Sequence, residues 1–580
     1  MTAAFRLPLQ TTLPMPDQSL TASFLDPAAP ETHSMRRTRV FRALTLGLPM
    51  LVTLGLGALS LGWFARDGHL SLAEGALVVM TVFAFYWVVL SVPTAMLGLF
   101  WRGAADPAPA PTATRQGLTT AILLPMYGEP ALPTISHALA LLSGLSRAQT
   151  THRFSLHILS DTRDQGLANA EGAMARLLAA RHPGLAVHYR RRAQNTDFKS
   201  GNIRTWVQAD GGAYDAMLVL DADSVMTPEA VTLMADTLAA DPSCGLVQTV
   251  PRVAPGTTLW QHLQSFASEV YGTTLGRGFA LWTGNEGNFL GHNALIRTRA
   301  FAASAGLPHL PGHAPRGGVI LSHDFVEAAL LRRAGWGVRM LPQARGSFED
   351  TPATLPGYVR RDTRWCQGNM QHLRLLAVPG LHLLSRFHLA QGAMVYLSSV
   401  WWLALLLLWT LHGVLATGPL PALSAMPPAG HWVLSGAMAL MLLAPKLIGI
   451  AGYLIEHQRS GTRPLRHFAR WALAEAALSV LLAPTLMVHQ VRAVLRTLAG
   501  VNGGWAPHSA TRPGLAALAR FHGTETALGL GLLTLAAHGD LTPWLLPIGI
   551  SLSLAIPLSW LVQREMCPAD AALSLATARP

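Results

Sequence analysis

Charge is what this chain has least of. Only 13% of its 580 residues are Asp, Glu, Lys or Arg, about half the share of an ordinary soluble domain. Half of the residues are hydrophobic and the mean hydropathy is +0.32. A chain of that kind is too apolar to be solvated over its whole length. Cysteine is nearly absent as well. Cys244, Cys366 and Cys567 stand far apart, without disulfide-framework or metal-ligand spacing, and suit a soluble portion kept in a reducing compartment. There is no G-x-x-x-x-G-K-[ST] segment and no G-x-G-x-x-G after the first strand, which argues against a P-loop ATPase and a dinucleotide enzyme. The first 35 residues have no apolar core. No secretory signal is visible there, and their Pro, Ala and Thr content predicts a disordered tail.

What the chain does have is long apolar runs. Crossing a hydrocarbon core of roughly 30 Å takes about 20 apolar residues in a helix. Val40–Phe64 and Ala73–Phe100 qualify early. Leu389–Leu415, Trp432–Ile455, Phe468–Val491, Ala527–His538 and Trp544–Val562 are the late candidates. Residues 102–385 between the two groups have ordinary polarity and length enough for one sizeable domain. The expected organisation is a tail over 1–35, two spans over 36–101, a soluble domain over 102–385, a second membrane domain over 386–563 and a cytoplasmic tail over 564–580.

The net charge of +12 is read as topology, not as a nucleic-acid surface, because Lys and Arg collect in cytoplasmic loops. Arg36, Arg37, Arg39 and Arg42 precede the first span, which places the N-terminus and the soluble domain in the cytoplasm. The loop 416–430 has no Lys or Arg and should face outward. The loop 457–467, with Arg459, Arg463 and Arg466, should face inward. Arg492, Arg496, Arg512 and Arg520 then follow Phe468–Val491, where a single span would put them outside. The Ala483–Pro484 break therefore predicts a bent hairpin or re-entrant pair with both ends inside.

Within the soluble stretch, "TTAILLPMYGEP", "FSLHILSDTRD", "LAVHYRRR" and "AYDAMLVLDADS" read as buried strands alternating with helical segments. Such alternation predicts a mostly parallel sheet, whose ligands bind beyond the carboxyl ends of its strands. Glu129, Asp161, Asp221 and Asp223 all fall at those ends. Asp221-Ala222-Asp223 puts two carboxylates together, a donor set that suits Mg²⁺ or Mn²⁺ and a substrate phosphate. The same residues would equally serve an Asp-rich turn capping the next helix. "KSGN", Lys199–Asn202, reads as a cation on a turn whose backbone can approach a phosphate. "TGNEGNFLGHNALIR" gathers Gly and Asn around a sugar-sized space, or forms plain turns. Asp324 opens an amphipathic helix, as a base or as a cap. Arg360, Arg361, Arg364 and Trp365 arrive just before the membrane, where arginines also meet lipid phosphates.

The order of these segments carries more than any one of them. An acid after the second strand, K-x-G-N, D-x-D, F-x-G-x-N, an acidic helix start and R-W before a membrane span together resemble the processive family 2 glycosyltransferases, which include cellulose and hyaluronan synthases. "ILLPMYGEP", "LSHDFVEAALLRRAGW" and "RRDTRWCQGNMQH" are most similar to the branch that makes osmoregulated periplasmic glucans, over roughly 40–562. The resemblance implies an α/β GT-A (Rossmann-like) cytoplasmic domain inserted in a polytopic α-helical membrane domain of the bacterial inner membrane. It implies UDP-glucose as donor, inversion at the anomeric carbon, and a β-glucan, β-1,2-linked in the best-known members, passed through the bilayer.

Residue by residue, it implies donor contacts from Glu129, Asp161, Lys199, Asp221 and Gln367, and Mg²⁺ (or Mn²⁺) on Asp221 and Asp223. It implies Asp324 as general base and Arg364 offsetting charge on the leaving group, with Trp365 and Arg361 as the other catalytic residues. Acceptor contacts would come from Trp365, His292 and Asn293, and a gating loop over 492–520 would carry Trp505 and Arg512. Partners implied are the growing glucan, the bilayer, a periplasmic glucan-modifying protein and an acyl carrier protein, with no nucleic acid. Two departures bear on acceptor geometry, and so on linkage. Ser322-His323-Asp324 stands where the synthases have T-E-D, and Arg361 takes the glutamine position of Q-x-x-R-W. A different linkage, or transfer of one sugar to a lipid carrier, is the alternative enzyme reading. A channel governed by a nucleotide-binding domain is the alternative from another class.

Overall fold

A computed structural model describes residues 12–31, 35–100, 117–415, 428–457, 465–503, 512–538 and 545–566. Trp505, Cys567, most of the loops 416–430 and 457–467, and the tail beyond 566 lie outside the described residues. The strands are β1 (Thr119–Met126), β2 (Arg153–Ser160), β3 (Val187–Arg191), β4 (Ala216–Val219), β5 (Val225–Met226), β6 (Cys244–Thr249), β7 (Arg252–Val253), β8 (Ala294–Arg297), β9 (Gly337–Leu341) and β10 (Ser347–Glu349). Seven form one sheet in the order β3-β2-β1-β4-β8-β6-β9, and β5-β10-β7 form a second, small one. Only β8 runs antiparallel to its neighbours in the large sheet.

β1 and β4 read as unbroken apolar runs because helices cover both faces of the sheet. One core lies under Ala131–Arg147 and Pro228–Ala240, with Leu142, Val231 and Leu238 packed on Ile122 and Leu218. The other lies under Phe198–Asp210 and His323–Arg333, around Trp206, Phe301 and Trp336. The predicted strand exits are observed, and β1, β2 and β4 each end just before an acid.

The N-terminal segment departs from its expected disorder. Residues 12–31 run along the back of the sheet. Met15 enters the core, Gln18 and Asp26 donate backbone N–H groups to Gly306 and Ala334, and Asp26 accepts the Trp336 indole N–H at 3.0 Å. Polar, proline-rich composition predicts poor self-packing. It does not register that a neighbouring surface offers partners for each backbone group.

Among the described residues, five helices are long and apolar enough to cross a membrane: Arg36–Phe64, Leu72–Leu99, Leu383–Leu408, Gly436–Glu456 and Leu465–Leu498. The later apolar segments form shorter helices, Gly523–Ala537, Leu546–Ser553 and Ala555–Val562. Beneath the sheet lies an interfacial helix, Leu259–Ala267 and Thr273–Thr283 joined by a π-helical turn. It meets the helix Ser91–Leu99 through glycine on both sides. A Cβ on Gly98 would lie 1.8 Å from the Thr274 carbonyl oxygen, and one on Gly278 would lie 1.8 Å from that of Thr94. Two backbones in such contact need small residues four apart on each helix.

Leu465–Leu498 is one continuous helix with Pro484 inside it, which replaces the expected hairpin. Phe468 packs on Phe266 of the interfacial helix, Leu482 joins Trp260 and Leu355, and Val494 joins Cys366 and Tyr396. The helix therefore touches helices of the α/β domain at both ends and in its middle. Hydropathy alone does not separate a helix that crosses from one that lies along a domain.

Candidate active site

The exits of β1, β2 and β4 carry the acids that the sequence singled out. After β1, Tyr127 N–H donates to Glu129 Oε2 at 2.5 Å, and Gly128 N–H donates to Thr162 Oγ1 at 2.8 Å, tying the β1 and β2 exits together. Burial, with Asp221 adding repulsion, pushes the Glu129 carboxyl up. Asp161 takes a bidentate pair from Arg192, Nε and Nη2 each at 2.7 Å. Arg192 also donates to the carbonyls of Thr196 and Phe198 at 3.1 Å. Asp161 thus anchors the loop that carries the lysine, and this pairing leaves it little surface for a nucleobase.

"KSGN" is not a turn. It is the first turn of the helix Phe198–Asp210, entered through Asp197 and Phe198 in left-handed backbone. From there Lys199 Nζ pairs with Asp221 and donates to the Gly291 carbonyl at 2.7 Å. Ser224 Oγ accepts the Asp221 backbone N–H at 2.9 Å, closing the turn after β4.

The two acids of D-x-D differ. Burial works against charge on both, but Lys199, then His292 and His323, hold Asp221 below its ordinary value. Burial and then the charge of Asp221 push Asp223 up to about 7. Two further acids, Glu349 and Asp350, face the same space from the end of β10. Neither was expected. β10 has only three residues, too few for a sequence period, and the adjacent acids of "SFEDT" were the only signal. His292 Nε2 stands 3.1 Å from Glu349 Oε2. Although burial opposes its charge, that contact raises His292 to about 9. His292 therefore belongs to the cleft as the partner of Glu349. Asn293 does not belong to it. Its side chain is fully buried, donating to Ser347 Oγ at 3.0 Å and to the Phe348 carbonyl at 3.3 Å. A left-handed φ of 51° turns it inward, a conformation Asn tolerates, so it braces β10 and is not free to contact an acceptor.

Asp324 is the second residue of the helix His323–Arg333. A Cβ on Gly291, where φ is +91°, would lie 3.3 Å from its carboxylate, so the glycine lets this acid stand beside the carbonyl that holds Lys199. Burial raises the Asp324 carboxyl, while His323 and the backbone N–H groups at the helix start pull the other way. A carboxylate poised above its ordinary range is a better proton acceptor near neutral pH.

The helix Leu355–Gln371, capped by Thr354 Oγ1 accepting the Gly357 N–H at 3.2 Å, puts Arg361, Arg364 and Trp365 on one face by their i, i+3 and i+4 spacing. The Arg361 guanidinium lies 4.6 Å from the Trp365 ring centroid. Trp365 is 46% exposed, an aromatic platform at the open side. Burial and Arg361 lower the Arg364 guanidinium, and the charge of Asp221 opposes them. Gln367 points elsewhere: it is buried and makes a long contact, 3.5 Å, to the Val501 carbonyl, so it braces the segment after Leu465–Leu498 instead of facing the donor site. Arg512 pairs with Glu565.

The cleft thus joins Asp221, Asp223, Glu349, Lys199, His292, Asp324 and Arg364. Its oxygen-rich donor set and the crowding that keeps Asp223 near neutrality both fit a hard dication.

Two family descriptions match this region. "Glycosyl transferase family 2" covers residues 123–304 and "Glycosyl transferase family group 2" covers 216–444. Proteins named glucans biosynthesis glucosyltransferase H are similar over nearly the whole chain. The one from Rhodopseudomonas palustris is 37% identical over 96% of this chain and 79% of its own length. That from Vibrio cholerae is 40% identical over 85% and 70%, and that from Xylella fastidiosa 35% over 97% and 91%. The family assigned to the cleft agrees with its fold: a mixed sheet of GT-A type with acids at the strand exits.

Proposed function

The chain belongs to the glucans biosynthesis glucosyltransferase H family, and on that premise we propose that it is an inner-membrane, inverting, processive glucosyltransferase that uses UDP-glucose to build a β-glucan, β-1,2-linked, of the osmoregulated periplasmic glucans. Its α/β domain faces the cytoplasm. The observation that carries the reading is the turn at Gly291, whose carbonyl accepts from Lys199 at 2.7 Å and whose missing Cβ leaves room for the Asp324 carboxylate. A base and a diphosphate-binding cation stand on either side of one carbonyl.

Asp324 takes the proton of the acceptor hydroxyl as that oxygen attacks the anomeric carbon from the face opposite the diphosphate. The C–O bond to the diphosphate breaks and the electron pair leaves with UDP. Lys199 and Arg364 stabilise the negative charge that develops there. A Mg²⁺ or Mn²⁺ ion held by Asp221 and Asp223 would supply further charge neutralisation for the diphosphate. Trp365 stacks on the acceptor sugar, and Arg361 fixes the plane of that ring. Glu129 and the Asp161–Arg192 pair shape the nucleoside end of the cleft.

Labelled glucose supplied as UDP-glucose with Mg²⁺, to the protein in lipid nanodiscs, should enter a polymer whose linkage analysis gives β-1,2. Asp324→Asn should bind UDP and make none. Another linkage, or a lipid-linked single sugar, would move the protein to another membrane branch of family 2. Full activity in Asp324→Asn would remove the base.

A further inference from the structure

We propose that His489, His522 and Glu525 form a binding site for one transition-metal ion, Zn²⁺ by preference, separate from the donor cleft. His489 lies on the helix Leu465–Leu498. His522 follows the short helix Leu515–Phe521, and Glu525 sits in the first turn of Gly523–Ala537. All three are buried, and a ligand atom from each lies within 4.8 Å of the others. His489 Nε2 stands 3.3 Å from His522 Nδ1, and His522 Nδ1 stands 3.9 Å from Glu525 Oε2. Ligands placed tetrahedrally around zinc at bonds of about 2.0–2.1 Å stand about 3.3–3.4 Å apart. Of the three pairs, His489–His522 is already at that spacing and His522–Glu525 needs a shift of about half an ångström, while His489 meets Glu525 through its other nitrogen, Nδ1 to Oε1 at 3.6 Å, so its ring must reorient for one nitrogen to serve the ion.

The chemistry of the donors selects the ion. Two imidazoles and a carboxylate make a set that zinc takes with a fourth position open. Imidazole favours Zn²⁺ over Mg²⁺, so this site does not compete for the ion of the cleft. The cluster also lacks something as it stands. Glu525 is fully buried, and its Oε2 and the His522 Nε2 have no hydrogen-bond partner among the described residues. The nearest cation, Arg492, reaches Glu525 Oε1 at 3.3 Å and is 46% exposed. It leaves the second oxygen unanswered, and a buried carboxylate with half a partner is costly. An ion here would staple the end of the long helix to the helix pair that follows residue 514. Phe521, 5.0 Å from the His489 ring, forms one apolar wall.

The test is metal content of the full chain in nanodiscs, purified without a polyhistidine tag, equilibrated with Zn²⁺ and desalted. Elemental analysis should give about one zinc per chain more in the wild type than in Glu525→Gln or His522→Gln. Co²⁺ in its place should show the absorption of a tetrahedral centre, absent from both variants. Zn²⁺, but not Mg²⁺, should raise the thermal midpoint of the wild type only. Arg492→Ala should keep the zinc. Equal zinc in wild type and variants, or no tetrahedral Co²⁺ signal, would overturn the proposal. So would zinc lost on Arg492→Ala, which would make the ion pair the purpose of the cluster. The wild-type measurement stands even where a variant fails to fold.

Discussion

Asp223 in the candidate cleft and the acids in the layer beneath it are treated in opposite ways. Below the sheet, Glu475 receives Lys446 at 2.6 and 2.8 Å and the Tyr271 hydroxyl at 2.9 Å. Glu456 pairs with Arg277 and Arg345. Asp362 accepts from Tyr396 and Gln490 at 3.2 and 3.1 Å. Each is answered from another helix, so these groups lock the interfacial elements together. In the cleft, Asp223 has no ion-pair partner among the described residues, and Asp221, Glu349 and Asp350 add to its burden. Repulsion of that kind is tolerated where binding relieves it, which is why perturbed carboxyls collect at functional sites. Excess charge marks the part that works on a ligand, and matched charge the part that holds.

The sharpest way to break this contrast is Asp324→Asn, which should lower transfer by about 10²–10⁴-fold, the span of general base catalysis, with UDP binding retained in an equilibrium binding assay. Next is Glu475→Ala. It strands Lys446, and thermal unfolding should show a loss of about 2–3 kcal/mol, below the full cost of breaking a buried pair because Lys446 keeps a quarter of its side chain exposed. Asp223→Asn should move the other way in chelator, gaining about 1 kcal/mol of stability while transfer collapses, the usual exchange at a functional site. An equal loss of stability in both variants would erase the distinction. Trp365→Ala should raise the acceptor KM roughly fivefold, about 1 kcal/mol of aromatic contact, with little change in UDP affinity. Smallest is a shift in pH. As the proposed base, Asp324 would have to be ionised, so its raised pKa should set the acid limb of kcat/KM above the ordinary carboxylate range. His323 lowers that pKa, so His323→Gln should move the limb to higher pH. A limb that stays put would separate His323 from the base.

Sequence pattern served well where function sits on regular elements. Apolar runs ending in acids placed Glu129, Asp161 and Asp221 at strand exits, where the structure has them, and the segment carrying Arg361, Arg364 and Trp365 is a regular helix. It failed where a residue's role depends on which way a short or irregular segment turns. Asn293 reads as an exposed amide and is a buried brace. Glu349 and Asp350 follow a strand of three residues, and the turn assigned to Lys199 is a helix start reached through two left-handed residues. The helix Leu465–Leu498 shows the same limit on a larger scale. Pro484 ordinarily ends or kinks a helix, and no local rule says that packing on Leu355–Gln371 and the interfacial helix would carry the chain past it.

The crossing of Gly98 and Gly278 has a mechanical consequence. Two backbones in direct contact leave no side chains to slide over one another, so the joint between Ser91–Leu99 and the interfacial helix acts as a fixed bearing. Across the molecule, Leu355–Gln371, Leu383–Leu415 and Leu465–Leu498 meet through side chains and hydrogen bonds around Asp362, contacts that, unlike the glycine joint, can be broken and remade.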